Sequence, residues 1–334
     1  MLCMILVSCT GQKTGKENDN NDKIAIEVGE IKFPPQDVLQ LKSYYLSSSV
    51  HVDSIDYLIG YNYRLHSLDC MNLKSKSVTQ IVLPGDGPDA IVRLSGIYAQ
   101  SLDSVWISDE SERAFLIDSV GTIKRMIDLK KYLEDQEQLL INTNYAMFTS
   151  HLFYNASRHS LMFLVKHTPS NTFIVKEAFI DEVGKMATYQ LSSSKVVPDM
   201  SKGYAYINFP NVNFVGENIV YNYPVESSIY MLDIRTNERK YILADSHYTS
   251  NIIEKCTTSG DYATLEKHWL ENSHFYDIMY LPKYKIYARL HADKVDFDEK
   301  KGMEKLINER DLYLMLFDEN MEKIGETKLS NCRY

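Results

Sequence analysis

The chain has 334 residues, of which 44% are hydrophobic and 24% are charged. This length and composition exclude general disorder and allow one large all-β domain or two ordinary ones. The formal net charge is -9, and no cluster of Lys and Arg interrupts the sequence. A nucleic-acid partner is therefore not expected, because tracking phosphates requires a basic surface.

The first eight residues form a short apolar run, and its last three residues together with Cys9 make the tetrapeptide Leu6-Val7-Ser8-Cys9. The run is too short for a complete signal peptide or a membrane span. The tetrapeptide resembles a bacterial lipobox, in which cleavage precedes a lipid-bearing cysteine. We interpret residues 1–8 as the remnant of a lipoprotein signal peptide with an upstream start, and we predict lipidation at Cys9. The alternative is an accidental apolar leader.

Residues 9–22 are rich in Gly, Lys, Asn, Asp and Glu, a composition typical of a flexible tether. Cys9 is not followed by Asp, so the lipoprotein resemblance implies an outer-membrane destination, with the periplasmic or surface face left open. Residues 23–334 then form a single domain. The lipid anchor is the only membrane attachment expected.

An apolar strand that ends in Asp, a short polar turn and a second strand recur along this domain. Asp favours such turns because its side chain bonds the following backbone. One β-rich run precedes the first hairpin and two precede each later hairpin, giving four strands per unit from the second unit onward, as in a propeller blade. A β-sandwich would not explain the return of the same hairpin. The five predicted hairpins start at Asp69, Asp118, Asp181, Asp233 and Asp318.

The spacing of these hairpins reaches or exceeds the known propeller period of about 40 to 50 residues, which indicates insertions. Helical spacing of apolar residues predicts helices over Lys130–Leu140 and over Tyr262–Leu270, the second starting at Gly260 or Asp261. A sixth blade closed by both termini would be incomplete, because the chain stops just after the fifth hairpin. We therefore predict a truncated C-terminus.

Together with the loop Gly85-Asp86-Gly87-Pro88-Asp89, these features resemble the Bacteroidetes TolB-like six-bladed β-propeller lipoproteins, many of which carry a domain of unknown function. The stretches 244–249, 273–275 and 287–289 also resemble that group. The resemblance covers nearly the whole chain. Because its motifs are structural, it implies a fold and an envelope location more than an activity.

Motifs for chemistry are scarce. HExxH, HxH and GxSxG do not occur, so we predict no catalytic residue, no metal and no cofactor. The Gly85 loop is interpreted as an inter-blade turn rather than a phosphate loop. The acidic run from Asp293 to Glu299 is interpreted as a solvated loop rather than a calcium site. Cys70, Cys256 and Cys332 are expected to be buried free thiols.

The longest predicted connections leave the blades at one end, where loops on a rigid scaffold usually bind ligands. They are residues 130–144, 192–210, 245–272 and 292–311. The second strands end there in Tyr61, Asp109, His167, Tyr223 and His291, with Arg289 one alternation inside. From this ring we predict Asp109, His167, Tyr223, Arg289 and His291 as ligand-binding residues.

The first hypothesis is a non-catalytic binding or scaffolding propeller that recognises a glycan, a peptide or a partner protein of the envelope. The alternative is an envelope hydrolase or lyase that cleaves glycans in the propeller channel, so catalysis stays open. Two carboxylates or a His/Tyr pair converging in the channel would favour the enzyme. A third possibility is a subunit of a larger envelope complex, with an exposed apolar patch on its outer strands.

Overall fold

A computed structural model describes residues 3–5, 27–29, 31–34, 44, 46–140, 152–197, 204, 208–256 and 261–329. The chain divides into two compact units. The first, residues 31–146 and 150–191, is called the three-blade unit, and the second, residues 1–30, 147–149 and 192–334, the two-blade unit. Near the N-terminus, β1 (Cys3–Ile5) and β2 (Glu27–Gly29) pair antiparallel.

The three-blade unit contains three antiparallel sheets. Blade 1 consists of β3 (Ser47–Val52), β4 (Ile55–Asn62), β5 (Ser67–Asn72) and β6 (Val78–Val82). Blade 2 consists of β7 (Leu94–Ser101), β8 (Ser104–Asp109), β9 (Arg113–Ile117) and β10 (Ile123–Asp128). Blade 3 consists of β11 (Glu137–Leu139), β12 (Phe153–Asn155), β13 (Ser160–His167), β14 (Thr172–Phe179) and β15 (Met186–Gln190).

The two-blade unit contains two further antiparallel sheets and two helices. Blade 4 consists of β16 (Asn211–Val215), β17 (Asn218–Asn222), β18 (Ile229–Asp233) and β19 (Arg239–Ile242). Blade 5 consists of β20 (His274–Leu281), β21 (Ile286–Ala292), β22 (Leu312–Phe317) and β23 (Lys323–Leu329). Helix α1 (Tyr262–Leu270) precedes β20, and α2 (Met303–Glu309) precedes β22.

Four strands of each blade form a sequential meander, and in blade 3 the additional strand β11 pairs with β13. The first strands of neighbouring meanders contact each other within each unit. These contacts join β3 to β7, β7 to β12 and β16 to β20. Successive four-stranded meanders joined through their first strands are the mark of a β-propeller. The fold is thus an all-β propeller with five blades. Among the described residues, the two-stranded β1–β2 sheet is the only sheet outside these five blades. The predicted sixth blade is therefore not seen as a four-stranded sheet in this part of the chain.

The five predicted hairpins lie in five separate sheets, as the repeat requires. In the turns after Asp118 and Asp318, the carboxylate accepts hydrogen bonds from the second and fourth following backbone N–H groups. Asp69 is an exception and the prediction of a turn there is wrong. It lies within β5, fully buried, and the turn begins at Asn72, whose amide oxygen accepts from the N–H groups of Lys74 and Ser75.

The helix predictions have different outcomes. Helix α1 is confirmed, with Asp261 as its N-cap, accepting from the Ala263 N–H. The helix over Lys130–Leu140 is wrong, because only Leu129–Tyr132 forms a 3-10 turn and Glu137–Leu139 is a strand. Here β11 pairs with the far end of β13, beyond the part that β12 covers, and Leu139 is buried. Satisfying the edge of β13 and burying Leu139 outweigh local helix propensity.

A clash at one glycine of the three-blade unit gives a stability prediction. Gly121 and Gly184 occupy equivalent hairpin turns with positive φ angles of 85° and 80°. A Cβ at Gly121 would overlap the carbonyl oxygen of Val82, whereas a Cβ at Gly184 would meet no atom within 4 Å. We expect Gly121→Ala to reduce the free energy of unfolding by about 2 kcal/mol more than Gly184→Ala, since both share the backbone strain of about 1 kcal/mol. Urea denaturation measures both, and equal losses would contradict the clash.

Candidate functional site

The three-blade unit carries an open cleft of about 890 Å³, which we call the blade 1 cleft. Its volume lies within the range of about 300 to 1,000 Å³ typical of small-molecule sites. A second cavity, among Leu129, Leu139 and Phe163, measures about 20 Å³ and has room for little more than one water. The cleft is lined by Tyr61, Tyr63, His66, Gly85, Asp86, Ile91, Val92 and Arg93.

One side of the cleft comes from the end of β4 and the turn that follows it. Tyr61 and His66 meet there, with the Tyr61 hydroxyl 3.0 Å from His66 Nδ1 and the two rings edge to face. His66 has a φ of 50°, and the matching positions of blades 2 and 3, Glu112 and Asn171, have φ angles of 64° and 50°. The left-handed conformation therefore belongs to the repeat, whereas the imidazole is particular to blade 1.

The other side is the connection from β6 to β7. Two backbone hydrogen bonds hold it: the N–H of Leu83 donates to the His66 carbonyl of the first side, and the N–H of Ile91 donates to the Pro84 carbonyl within the connection. Asp109 fastens it to blade 2, because its carboxylate accepts from the Val92 N–H at 3.2 Å. Arg113, paired with Asp109 at 3.0 Å, donates to the Ala90 carbonyl.

The cleft combines aromatic, cationic and anionic groups. The Tyr63 side chain is 45% exposed, and Asp86 is also exposed. The Arg93 side chain is half exposed and lies 3.6 Å from Glu110. Burial raises the pKa of Tyr61, against smaller opposing effects from the backbone of Leu94 and the charge of Arg93. Tyr61 therefore keeps a neutral hydroxyl, which can both donate and accept a hydrogen bond.

Among the residues predicted from the sequence, Asp109 is the one associated with this cleft. It is fully buried, so it does not line the cleft itself, and its carboxylate positions Val92 by accepting the Val92 N–H. His167 lies at the end of β13, half-buried, with Nδ1 at 2.6 Å from the Ser170 hydroxyl. Tyr223, Arg289 and His291 lie in the two-blade unit, and Cys9 lies outside the described residues.

Arg289 is fully buried between blades 4 and 5 rather than exposed at a rim. Its guanidinium donates to the carbonyls of Ser227 at 2.6 Å and Ala244 at 3.0 Å, and it stacks over the Phe275 ring. Burial lowers its pKa to about 9, with Glu326 opposing the shift. Arg289 remains charged at neutral pH and ties the chain segments around Ser227 and Ala244 to β21.

His291 is also fully buried, stacked between the rings of Phe275 and Tyr313. Its Nε2 lies 3.0 Å from Glu326, and its Nδ1 lies 3.1 Å from the Thr249 hydroxyl. Burial lowers the pKa of His291, and the Glu326 carboxylate partly offsets this effect. The imidazole thus serves as a neutral anchor for the segment that contains Thr249.

Tyr223 belongs to a buried tyrosine cluster of blade 4. Its ring meets those of Tyr221 and Tyr230 edge to face, and its hydroxyl donates to the Ser192 carbonyl at 2.8 Å. The Tyr221 hydroxyl accepts from the Ser192 N–H at 2.9 Å. These tyrosines hold the chain before β16 against the sheet. Their hydroxyls are used within the protein.

The sequence interpretation missed Tyr63, His66, Asp86 and Arg93 as cleft residues. Tyr61 belonged to the ring of strand ends, and Asp86 to the loop interpreted as a turn. No motif joins them, because the cleft arises from two segments about 20 residues apart in sequence that meet through blade register. In the described part of the chain, no group of three or more His, Cys, Asp or Glu residues could hold a metal ion. Within the same residues, no helix is long and apolar enough to cross a membrane.

The strand order and the first-strand contacts define the class of the protein as a β-propeller. Residues 17–328 match the family model "Domain of unknown function (DUF4221)", and the chain belongs to that family. No curated protein matches the sequence.

Two solved structures show the same fold. A crystal structure of a DUF4221 family member from Bacteroides vulgatus has a TM-score of 0.69 and 15% identity, and the match covers 89% of this chain and 84% of that one. A Bacteroides fragilis protein named "Putative exported protein" has a TM-score of 0.55 and 13% identity, and the match covers 94% and 78%. At these identities, the likeness concerns the fold alone.

Proposed function

We propose that this protein is a non-catalytic binding module of the bacterial envelope and that its ligand occupies the blade 1 cleft. The carrying observation is the open cleft of about 890 Å³, with tyrosine, histidine, aspartate and arginine side chains along its walls. Large concave sites with a few polar groups on a rigid scaffold are the usual form of ligand sites. The cleft lies at the blade end that carries the β4–β5 and β6–β7 connections.

A Tyr63 variant tests this function. We expect Tyr63→Ala to weaken ligand binding roughly five- to tenfold, since an exposed ring contributes about 1 kcal/mol of stacking. Tyr284→Ala is the matched control, because Tyr284 is 41% exposed but lies in the two-blade unit. The purified chain is screened against glycan and peptide panels, and titration calorimetry compares the variants. Wild-type binding that Tyr63→Ala leaves unchanged would contradict the cleft as the site.

The envelope location is part of the proposal. It is supported by the lipobox-like residues 6–9, by the polar stretch that follows, and by the name of the Bacteroides fragilis neighbour. The finer features, a TolB-like propeller of six blades and an outer-membrane lipid anchor, belong to the same proposal. So does the arrangement of residues 23–334 as a single domain.

Lipidation gives a direct test of the location. In a bacterial host, the chain joined at Cys9 to a lipoprotein signal peptide is expected to incorporate labelled palmitate, and Cys9→Ala is expected to lose the label. Cys256→Ala is the control, because it removes a cysteine outside the lipobox-like residues 6–9. Equal labelling of wild type and Cys9→Ala would overturn the anchor.

A glycan-cleaving enzyme is the second candidate, and one contact favours it. The Tyr61 hydroxyl and His66 Nδ1, 3.0 Å apart at the cleft, form a pair of groups able to transfer a proton. If the cleft cleaves glycans, Tyr61→Phe should abolish the release of new chain ends while binding persists. If the wild type binds oligosaccharides without cleaving them, the binding module stands and this candidate is excluded.

A further inference from the structure

We infer that the blade 1 cleft takes an uncharged oligosaccharide, which it recognises through side chains rather than through the backbone. This inference rests on the proposed function and adds the chemical class of the ligand. Three features carry it: the use of backbone donors in the cleft wall, the kinds of side chain present, and their balance of charge.

Part of the backbone of the cleft wall is occupied within the protein. The N–H of Leu83 donates to the His66 carbonyl, and that of Ala90 donates to the Gly87 carbonyl. The N–H of Ile91 donates to the Pro84 carbonyl, and that of Val92 donates to the Asp109 carboxylate. Pro84 and Pro88 have no N–H to offer. An extended peptide gains affinity by pairing with a row of free backbone groups. Over residues 90–92 every N–H is used within the protein, so an extended peptide has no row of donors along that segment and recognition there falls to the side chains.

The side chains suit a sugar. The half-exposed Tyr63 ring offers an apolar face to the C–H groups of a pyranose. Asp86, Arg93 and His66 offer planar polar groups, and sugar hydroxyls both donate and accept hydrogen bonds.

The charges argue for an uncharged ligand. Asp86 and Arg93 both line the cleft, so an anionic group would approach a carboxylate and a cationic group would approach a guanidinium. Juxtaposing like charges in a binding site is unfavourable. A neutral oligosaccharide can use both groups as hydrogen-bond partners.

The test compares three probe sets on the purified full chain: neutral oligosaccharides, uronate-containing oligosaccharides and peptides. We expect neutral oligosaccharides to bind, and we expect Asp86→Asn to weaken binding at least fivefold. Asp89→Asn, a change in the same exposed loop outside the cleft lining, is expected to have no effect. Tyr63→Phe should retain the affinity that Tyr63→Ala loses. Circular dichroism verifies that each variant is folded.

Each other outcome is decisive. Peptide or uronate binding that depends on Tyr63, without binding of neutral sugars, overturns the ligand class and leaves the proposed binding function standing. Neutral-sugar binding unaffected by Tyr63→Ala and Asp86→Asn overturns the cleft as the sugar site. Absence of binding by every probe set overturns this inference together with the proposed function.

Discussion

Arg289→Ala is expected to reduce the free energy of unfolding by roughly 3 to 5 kcal/mol, because it removes a large buried side chain and leaves two buried carbonyls without a donor, each costing about 1 to 3 kcal/mol. The change would leave the carbonyls of Ser227 and Ala244 without a donor and would open a cavity against Phe275. The sequence interpretation placed Arg289 at a binding rim. Because Arg289 is buried, we expect this variant to lower the stability of the fold rather than to weaken ligand binding directly.

Urea denaturation followed by circular dichroism measures the effect. Arg235→Ala is the control, because the Arg235 side chain is 65% exposed and its one ion pair, with Asp233, is long at 3.8 Å. A change within about 0.5 kcal/mol is expected for this variant. Arg289→Met fills most of the space without donating, and it separates packing from hydrogen bonding. A loss below about 1 kcal/mol for Arg289→Ala would contradict this structural role.

The repeat was predictable because strand-forming runs and Asp turns are local signals. Four of the five Asp markers lie in or next to a hairpin turn, and the second strands were correctly located. The first strand of blade 1, β3, was missed because it begins with Ser47, Ser48 and Ser49, which have little β propensity. The incorrect helix prediction near Leu139 has a different cause. There the conformation is decided by pairing with β13, a strand distant in sequence, rather than by a local signal.

The candidate site was less predictable, because a polar residue at a strand end can serve either ligand binding or hydrogen bonding inside the protein. Asp109 and Arg289 bond backbone groups inside the protein, and His291 contacts the Glu326 and Thr249 side chains. The sequence does not distinguish these roles from ligand binding. The blade 1 cleft depends on where the 83–93 connection lies, and the Asp109–Val92 hydrogen bond joins residues 17 positions apart. Such pairings become visible only in three dimensions.

The contact between Glu326 and His291 predicts a marked loss of stability in acid. Burial alone would raise the pKa of Glu326, but His291, the Ser246 hydroxyl, the His247 N–H and Lys323 together hold it at about 2, below its ordinary value of 4.5. The folded state therefore favours the charged carboxylate. Its contribution is complete above pH 4.5 and is lost as the pH falls towards 2. By linkage the loss amounts to roughly 3 kcal/mol.

His291 acts in the same direction over a higher pH range. Its pKa lies below the ordinary 6.5 because burial disfavours the charged ring, so the unfolded chain takes up a proton before the folded protein does. Stability is complete above pH 6.5 and starts to fall below it. The two effects predict a decline that begins near pH 6.5 and steepens below 4.5.

Glu326→Gln separates the two contributions. It should destabilise the protein by roughly 3 kcal/mol at pH 7, and its stability curve should approach that of the wild type only near pH 2 and below, where the folded protein also takes up the Glu326 proton. Glu322→Gln changes an exposed carboxylate of the preceding turn and should leave the curve unchanged. Urea denaturation at half-unit pH steps gives both curves. If Glu326→Gln loses stability below pH 4.5 as steeply as the wild type, the carboxylate that controls acid unfolding lies elsewhere.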